Sequence, residues 1–411
     1  MDRDPAILAA PGSIKASVAG TQGSRINFVD GIRAAAAVYV VLHHIWLTTY
    51  PDYLNDTGPA ALHWLAYGNV AVSVFIVVSG FSLSIAPARR GWQLKGGVGT
   101  YLQRRAWRIL PTYWAALALT CLVFGFVTAG VTGSRISLKA VLVHGLLLQD
   151  VINSPKPNGA FWSIAVEWQI YFLFPLFLWM IRRLGVSWLV VVVSAGIILA
   201  YVAATTIEPF HRLLNVTPQF VALFVMGIAA ARVVREGESP SSHRWLVSGA
   251  SILGGLFVVI CFTRDLSWVE ERYFWVDLVA GGATACLLAC LVPNPRNRLR
   301  RFFASRPMRS TGLYSYSIYC VHLPILWLVW YFAVTRLAET VPSRFALLTL
   351  IGVPAVLIGS YWFSRVFERP FLTHRSFRAL ADLIPLRKKP NLRGQGRHRL
   401  GSGPSEPKFT A

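Results

Sequence analysis

Arg33 and His44 stand eleven positions apart in the apolar stretch INFVDGIRAAAAVYVVLHHIW. In a helix, eleven residues close about three turns, so both side chains share a face about 16 Å apart along the axis. A guanidinium near one end and an imidazole near the middle could hold negative charge and take up a proton. Arg33 could equally snorkel to the surface, and His44 could simply bond a neighbouring helix. Asp30 precedes Arg33 by three residues and is placed to pair with it, while His43 points about 100° away.

A carboxylate lies in NGAFWSIAVEWQIYFLFP, where Ser163, Glu167 and Tyr171 recur at i, i+4 and i+8 and share a face. A buried carboxylate is costly unless paired or protonated, and an imidazole on another span is the obvious partner. A third polar stripe, Ser315, Tyr319 and His322, runs through GLYSYSIYCVHLPILW at i, i+4 and i+7. Pro324, just beyond it, is expected to disturb the helix. Arg104, Arg105 and Arg108 cluster in RRGWQLKGGVGTYLQRRAWRILPTYW. Arg105 and Arg108 can converge on one anion, and guanidinium groups suit bidentate phosphate recognition; an ordinary basic loop would supply the same residues. The glycines at 96, 97 and 99 match no P-loop, since no G-K-[ST] follows. Ser79 and Gly80 in SVFIVVSGFSLSIA invite close helix packing or a local kink.

What must position these residues is a membrane-spanning scaffold. Of 411 residues, 55% are hydrophobic and 14% charged, yet the formal net charge is +22; the mean hydropathy is +0.50. Soluble domains spend roughly a quarter of their residues on charge, so a soluble enzyme is excluded. A span needs about 20 mostly apolar residues, and ten segments qualify: 28–49, 66–86, 109–129, 161–181, 187–206, 217–234, 245–263, 274–292, 312–334 and 344–366. The expected fold is an all-α polytopic membrane protein of about ten transmembrane helices. The stretch Leu138 to Val151, which contains His144, is too short and reads as re-entrant or interfacial.

With the N-terminus inside, 30 of the 40 Lys and Arg fall in cytoplasmic segments and 8 in external loops, Arg135 and Lys156 among them. That bias puts both termini in the cytoplasm. The basicity is then topological, and its scatter over six segments argues against a nucleic-acid partner. Residues 1–25 form a polar tail without a signal-peptide pattern. The membrane domain covers 26–372, and 373–411 is a basic, Gly- and Pro-rich tail whose composition predicts disorder. The five cysteines show no zinc or redox spacing, so neither a metal nor a disulfide framework is expected.

Together these segments resemble the acyltransferase-3 family of bacterial integral-membrane O-acyltransferases. The resemblance rests on Arg33, ten residues, then His44; on Ser79-Gly80-Phe81; and on RRAWRILPTYW at 104–114. It rests further on Trp162-Ser163 followed by Glu167-Trp168, on SYSIYCVH at 315–322, and on Glu368 with Pro370. It covers about residues 26–372. The four alanines after Arg33 replace a Gly-containing run common there, and no hydrolase-like domain follows the last span, so any step such a domain performs is expected to be absent.

The resemblance implies transfer of an acyl group, most often acetyl, from coenzyme A to a hydroxyl, usually on a sugar, in a bacterial inner membrane. On that expectation Arg104, Arg105 and Arg108 hold the phosphates of cytoplasmic acyl-CoA, above all acetyl-CoA. His44 is the general base, and Glu167 orients and charges its imidazole. Arg33 stabilises developing negative charge or orients the donor, with Asp30, Trp162, Ser163, Tyr319 and His322 in support. Direct transfer and an acyl-histidine route both fit. A modifier of surface polysaccharide competes with an acylator of a small molecule such as an antibiotic sugar. A secondary transporter or flippase would also place polar groups at mid-membrane, but needs no phosphate-matched arginines.

Overall fold

In lipid no water can satisfy a bare backbone, so apolar segments of this length close their hydrogen bonds internally as helices. In the computed structural model, residues 26–52, 58–127, 136–152, 154, 157–237 and 240–374 are described, and among them no strand occurs. The spanning helices are α1 (Asn27–Thr49), α2 (Val70–Ala88), α3 (Gly97–Leu122), α5 (Trp162–Leu184), α6 (Val186–Thr206), α7 (Gln219–Glu236), α8 (Pro240–Thr263), α10 (Tyr273–Leu291), α13 (Ser315–Val329) and α14 (Val341–Phe367). Nine described helices are long and apolar enough to cross a membrane alone. The tenth, α7, qualifies only with the 3₁₀ segment Glu208–Val216 before it, from which it bends by 45°.

Shorter helices finish the ends: α4 (Leu138–Gly145), α9 (Leu266–Glu271), α11 (Arg298–Phe303), α12 (Arg306–Gly312) and α15 (Arg369–His374). Polar caps begin several of them. Ser137 accepts from the Ala140 amide, Asp265 from Trp268, and Asn297 from Leu299, filling donors that a helix start leaves open. The eight residues of α4 rise about 12 Å, far short of a bilayer core, and α4 is tied to α3 by Tyr113 and Trp114 bonding the carbonyls of His144 and Gly145.

Two details depart from expectation. The third helix starts at Gly97, about three turns before its apolar segment, so Arg104, Arg105 and Arg108 ride on a helix rather than a loop. Hydropathy finds only the apolar part of such a helix. The chain also stays helical through Pro324 to Val329 and makes a π turn only at Trp330–Val334. A buried proline removes one donor, and packed neighbours can tolerate that single loss.

The core gathers α1, α2, α3, α5, α7, α10 and α13, with Phe81, Tyr113, Phe161, Phe174 and Phe224 fully buried. A smaller cluster joins Val41 and Ile45 of α1 to Leu326 of α13 and Val356 of α14. The outer helices are apolar on exposed faces: Trp245 and Phe262 of α8 are 78% and 80% exposed, as lipid contact requires. Small residues bring the inner helices together. A Cβ on Gly80 would lie 2.1 Å from the Phe224 carbonyl oxygen, and one on Gly227 would lie 2.1 Å from that of Val77. Hence α2 and α7 touch backbone to backbone. Residues 1–25 and 375–411, together with Arg135 and Lys156, lie outside the described residues, while the first two residues of the expected C-terminal tail end α15.

Candidate active site

Six helices, α1, α2, α3, α5, α13 and, through Leu372, α15, line a cavity of about 530 Å³. Arg33, Arg105 and Arg108 line it with Asp30 and Glu167, leaving an excess of positive charge suited to an anion. Arg33 donates through Nη2 to Ser82 at 3.1 Å and lies 3.6 Å from the Asp30 carboxylate. Tyr171 donates its hydroxyl proton to Glu167 at 2.6 Å, and its ring lies beneath the Arg105 guanidinium at 5.9 Å. The i, i+4, i+8 face of Ser163, Glu167 and Tyr171 therefore does look into one chamber. Arg104, about 100° round the helix from Arg105, is exposed and does not line it.

Tyr319 closes the far end. Its hydroxyl donates to the Ala160 carbonyl at 2.9 Å, and the Ser163 hydroxyl sits 2.5 Å away. The Ser163 hydroxyl also reaches the Ala160 carbonyl, at 3.5 Å, so the two hydroxyls and that carbonyl form one cluster. Beyond Tyr319 lies a second cavity, of about 320 Å³, lined by His43, His44, Asn69, Trp162 and again Tyr319. Tyr319, with Val72 of α2, thus stands between an arginine chamber and a histidine chamber.

The hydrogen bonds of His44 settle its tautomer. His322, fully buried, places Nδ1 2.7 Å from the Tyr319 carbonyl and 3.2 Å from that of Ile318. A carbonyl only accepts, so His322 Nδ1 carries the proton and its Nε2 has a free lone pair. That Nε2 lies 3.3 Å from His44 Nδ1, which also lies 2.9 Å from the Val40 carbonyl. Both neighbours are acceptors, so His44 Nδ1 holds the hydrogen and Nε2 is the basic atom. Among the described residues nothing bonds that Nε2. His43, beside it, gives its Nδ1 to the Leu65 carbonyl.

The expected pair of Glu167 with His44 is not what the helices assemble. The carboxylate bonds Tyr171 inside the arginine chamber, and the imidazole meets His322 on the other side of Tyr319. Spacing within α1 and α5 is set by the helical repeat, but their relative height and rotation are set by packing. Asp277, in YFWVDLVAGG, was not among the expected site residues, although a carboxylate in an apolar span is the same signal that marked Glu167. It accepts from Ser73 at 2.6 Å and from Gln219 at 3.1 Å. Among the described residues, no three of His, Cys, Asp and Glu are grouped to hold a metal ion.

Comparison with known proteins places the sequence among acyltransferases. Residues 26–365 match the family described as "Acyltransferase domain". YrhL of Bacillus subtilis (strain 168) is 24% identical over 329 residues, covering 72% of this chain and 48% of the relative. The Streptomyces mycarofaciens protein named acyltransferase MdmB is 24% identical over 328 residues, covering 74% of this chain and 79% of the relative. The Listeria monocytogenes protein named peptidoglycan O-acetyltransferase OatA is 24% identical over 329 residues, covering 72% and 49%. The chain spans about half the length of YrhL and OatA. No solved structure matches it. With the match running from the start of α1 into the last turn of α14, the chain belongs to the acyltransferase-3 family.

Proposed function

We propose that this chain is a membrane O-acyltransferase of a bacterial inner membrane, moving an acyl group, acetyl above all, from cytoplasmic acyl-CoA to a hydroxyl of a carbohydrate or other small acceptor. The observation that carries this is a basic His44 Nε2 facing a cavity that meets an arginine-lined chamber at Tyr319 and Val72. Both termini and the arginine chamber are cytoplasmic. Arg105 and Arg108 hold the donor's phosphates, with Arg104 at the rim, and the thioester arm reaches past Tyr319 toward His44. The names of MdmB and OatA support acyl transfer, and the proposal extends it to this chain.

The acceptor hydroxyl gives its proton to His44 Nε2 as its oxygen attacks the thioester carbonyl. The carbon–sulfur bond breaks, and the CoA thiolate takes the proton back from His44. His322 Nε2, accepting from His44 Nδ1–H, keeps the imidazole in the right tautomer and orientation. Glu167 acts one chamber away: with Tyr171 it keeps Arg105 and Arg33 turned toward the donor.

The test uses inside-out vesicles holding the full chain and a sugar acceptor, with acetyl-CoA added to the cytoplasmic face. Free thiol should appear, and His44→Ala should lower its rate by about 10²–10⁴-fold, the usual contribution of a general base, while the protein still inserts. Undiminished thiol release in that variant removes His44 from the chemistry. A transporter would release no thiol at all.

A further inference from the structure

The histidine chamber continues sideways. It shares Asn69 and Trp162 with a third cavity, of about 680 Å³, bordered by Gln149, Gln219, Tyr273 and Asp277. That volume lies in the range of small-molecule sites, and no step of the proposed mechanism uses it.

Its lining residues include two glutamines whose buried amide oxygens no described residue fills, beside a Thr217 hydroxyl that is also unpaired among the described residues. Gln219 is fully buried; its amide nitrogen donates to Asp277 at 3.1 Å, which fixes the amide's orientation. Its Oε1 is buried and has no donor among the described residues. Gln149, 5% exposed, repeats the pattern: its nitrogen donates to the Phe161 carbonyl at 3.0 Å, and among the described residues its Oε1 has no partner. Turning either amide over would set oxygen against oxygen, so neither can escape by rotation. Asp277 takes one bond at each oxygen, from Ser73 and from Gln219. It acts as the post that holds the Gln219 amide in place.

Two buried acceptors without donors cost free energy until a donor arrives. A ligand carrying several hydroxyls supplies such donors, and the rings of Trp162 and Tyr273 at the cavity's edge offer apolar faces for its C–H groups. A phosphate or carboxylate would bring only more acceptors beside Asp277. We infer that the Gln149–Gln219–Asp277 cavity is the acceptor subsite and takes a polyhydroxylated ring, seated so that one hydroxyl passes Trp162 toward His44 Nε2. This rests on the proposed acyl transfer, because only that reading requires a hydroxyl at His44.

The experiment measures binding of methyl N-acetyl-β-glucosaminide and chitotriose to the full-length protein in nanodiscs by saturation-transfer difference NMR, with acetyl-CoA affinity measured separately by calorimetry. Saturable binding of at least one probe is expected. Gln149→Leu and Gln219→Leu should each weaken it at least tenfold and leave acetyl-CoA affinity unchanged. Tyr273→Ala, at a residue 37% exposed, is the variant least able to harm folding and should weaken the same binding severalfold. Tighter binding of chitotriose marks a glycan as the source of the ring, and equal binding marks a free sugar. Absence of binding to both probes in a protein that binds acetyl-CoA overturns the subsite, as does binding that all three variants leave intact. Failure of the wild-type protein to bind acetyl-CoA strikes instead at the acyl-transfer reading.

Discussion

At the scale of single residues, the site turns on which atoms carry protons. His44 Nδ1 faces two acceptors, the Val40 carbonyl and His322 Nε2, and this alone leaves Nε2 free to act as a base. In the proposed mechanism His322 is therefore a positioning residue rather than one that touches substrate. His322→Phe keeps the buried volume and the Val40 bond but removes one acceptor. It should lower kcat about tenfold or more with the KM for acyl-CoA little changed; an unaltered kcat would leave His322 a packing residue. Glu167 makes the opposite forecast. Because its carboxylate bonds Tyr171 beneath Arg105, Glu167→Gln should raise the KM for acyl-CoA severalfold and leave the shape of the pH–rate profile alone. A direct partner of His44 would move that profile, and steady-state kinetics at several pH values separates the two. Ser163, Glu167 and Tyr171 were legible on one face because a 3.6-residue repeat requires it. The identity of the imidazole's partner was not, since no rule of spacing links residues on different helices.

At the scale of elements, the arrangement depends on how closely α2 approaches α7. Gly80 and Gly227 let the two backbones meet, and this contact sets the height of Ser73 and Ser79 on α2 relative to Gln219 on α7. Without a hydrophobic force between helices in lipid, such close packing does much of the holding. Gly80→Ala must push the helices apart, since its methyl would meet a backbone oxygen that cannot swing away. We expect a cost of about 1–3 kcal/mol, read as a lower melting temperature in detergent; an unchanged melting temperature would show that the helices slide freely. The sequence hinted at this contact through Ser79-Gly80, although not at which helix would receive it. The amphipathic start of α3 was hidden for a different reason. Hydropathy registers a helix by its apolar residues, and the turns carrying Arg104, Arg105 and Arg108 have few.

At the scale of the whole molecule, two chambers of different chemistry are kept apart by Tyr319, anchored to α5 through Ser163 and to the Ala160 carbonyl just before that helix. The separation has a purpose in the proposed reaction. A thioester exposed to water beside a general base would be hydrolysed, so the partition must admit the acyl group and little else. Tyr319→Ala should merge the chambers and raise thiol release from acyl-CoA in the absence of any acceptor, measured with a thiol-reactive dye. Unchanged basal release in a folded variant would show that Tyr319 is no barrier.

Composition and periodicity by themselves determined that this chain is a helical membrane protein, where most of its spans lie, and which polar residues share a helical face. Those properties are local: burial in lipid demands helices, and the helical repeat places neighbours three and four residues apart. Only the tertiary structure decided that His44 meets His322 and not Glu167, that Arg104 stays outside the arginine chamber, and that Asp277 holds Gln219 beside a third cavity. These facts depend on the rotation and height of one helix against another. Side-chain volumes and glycine contacts spread along the whole chain set that registry, and no single segment encodes it.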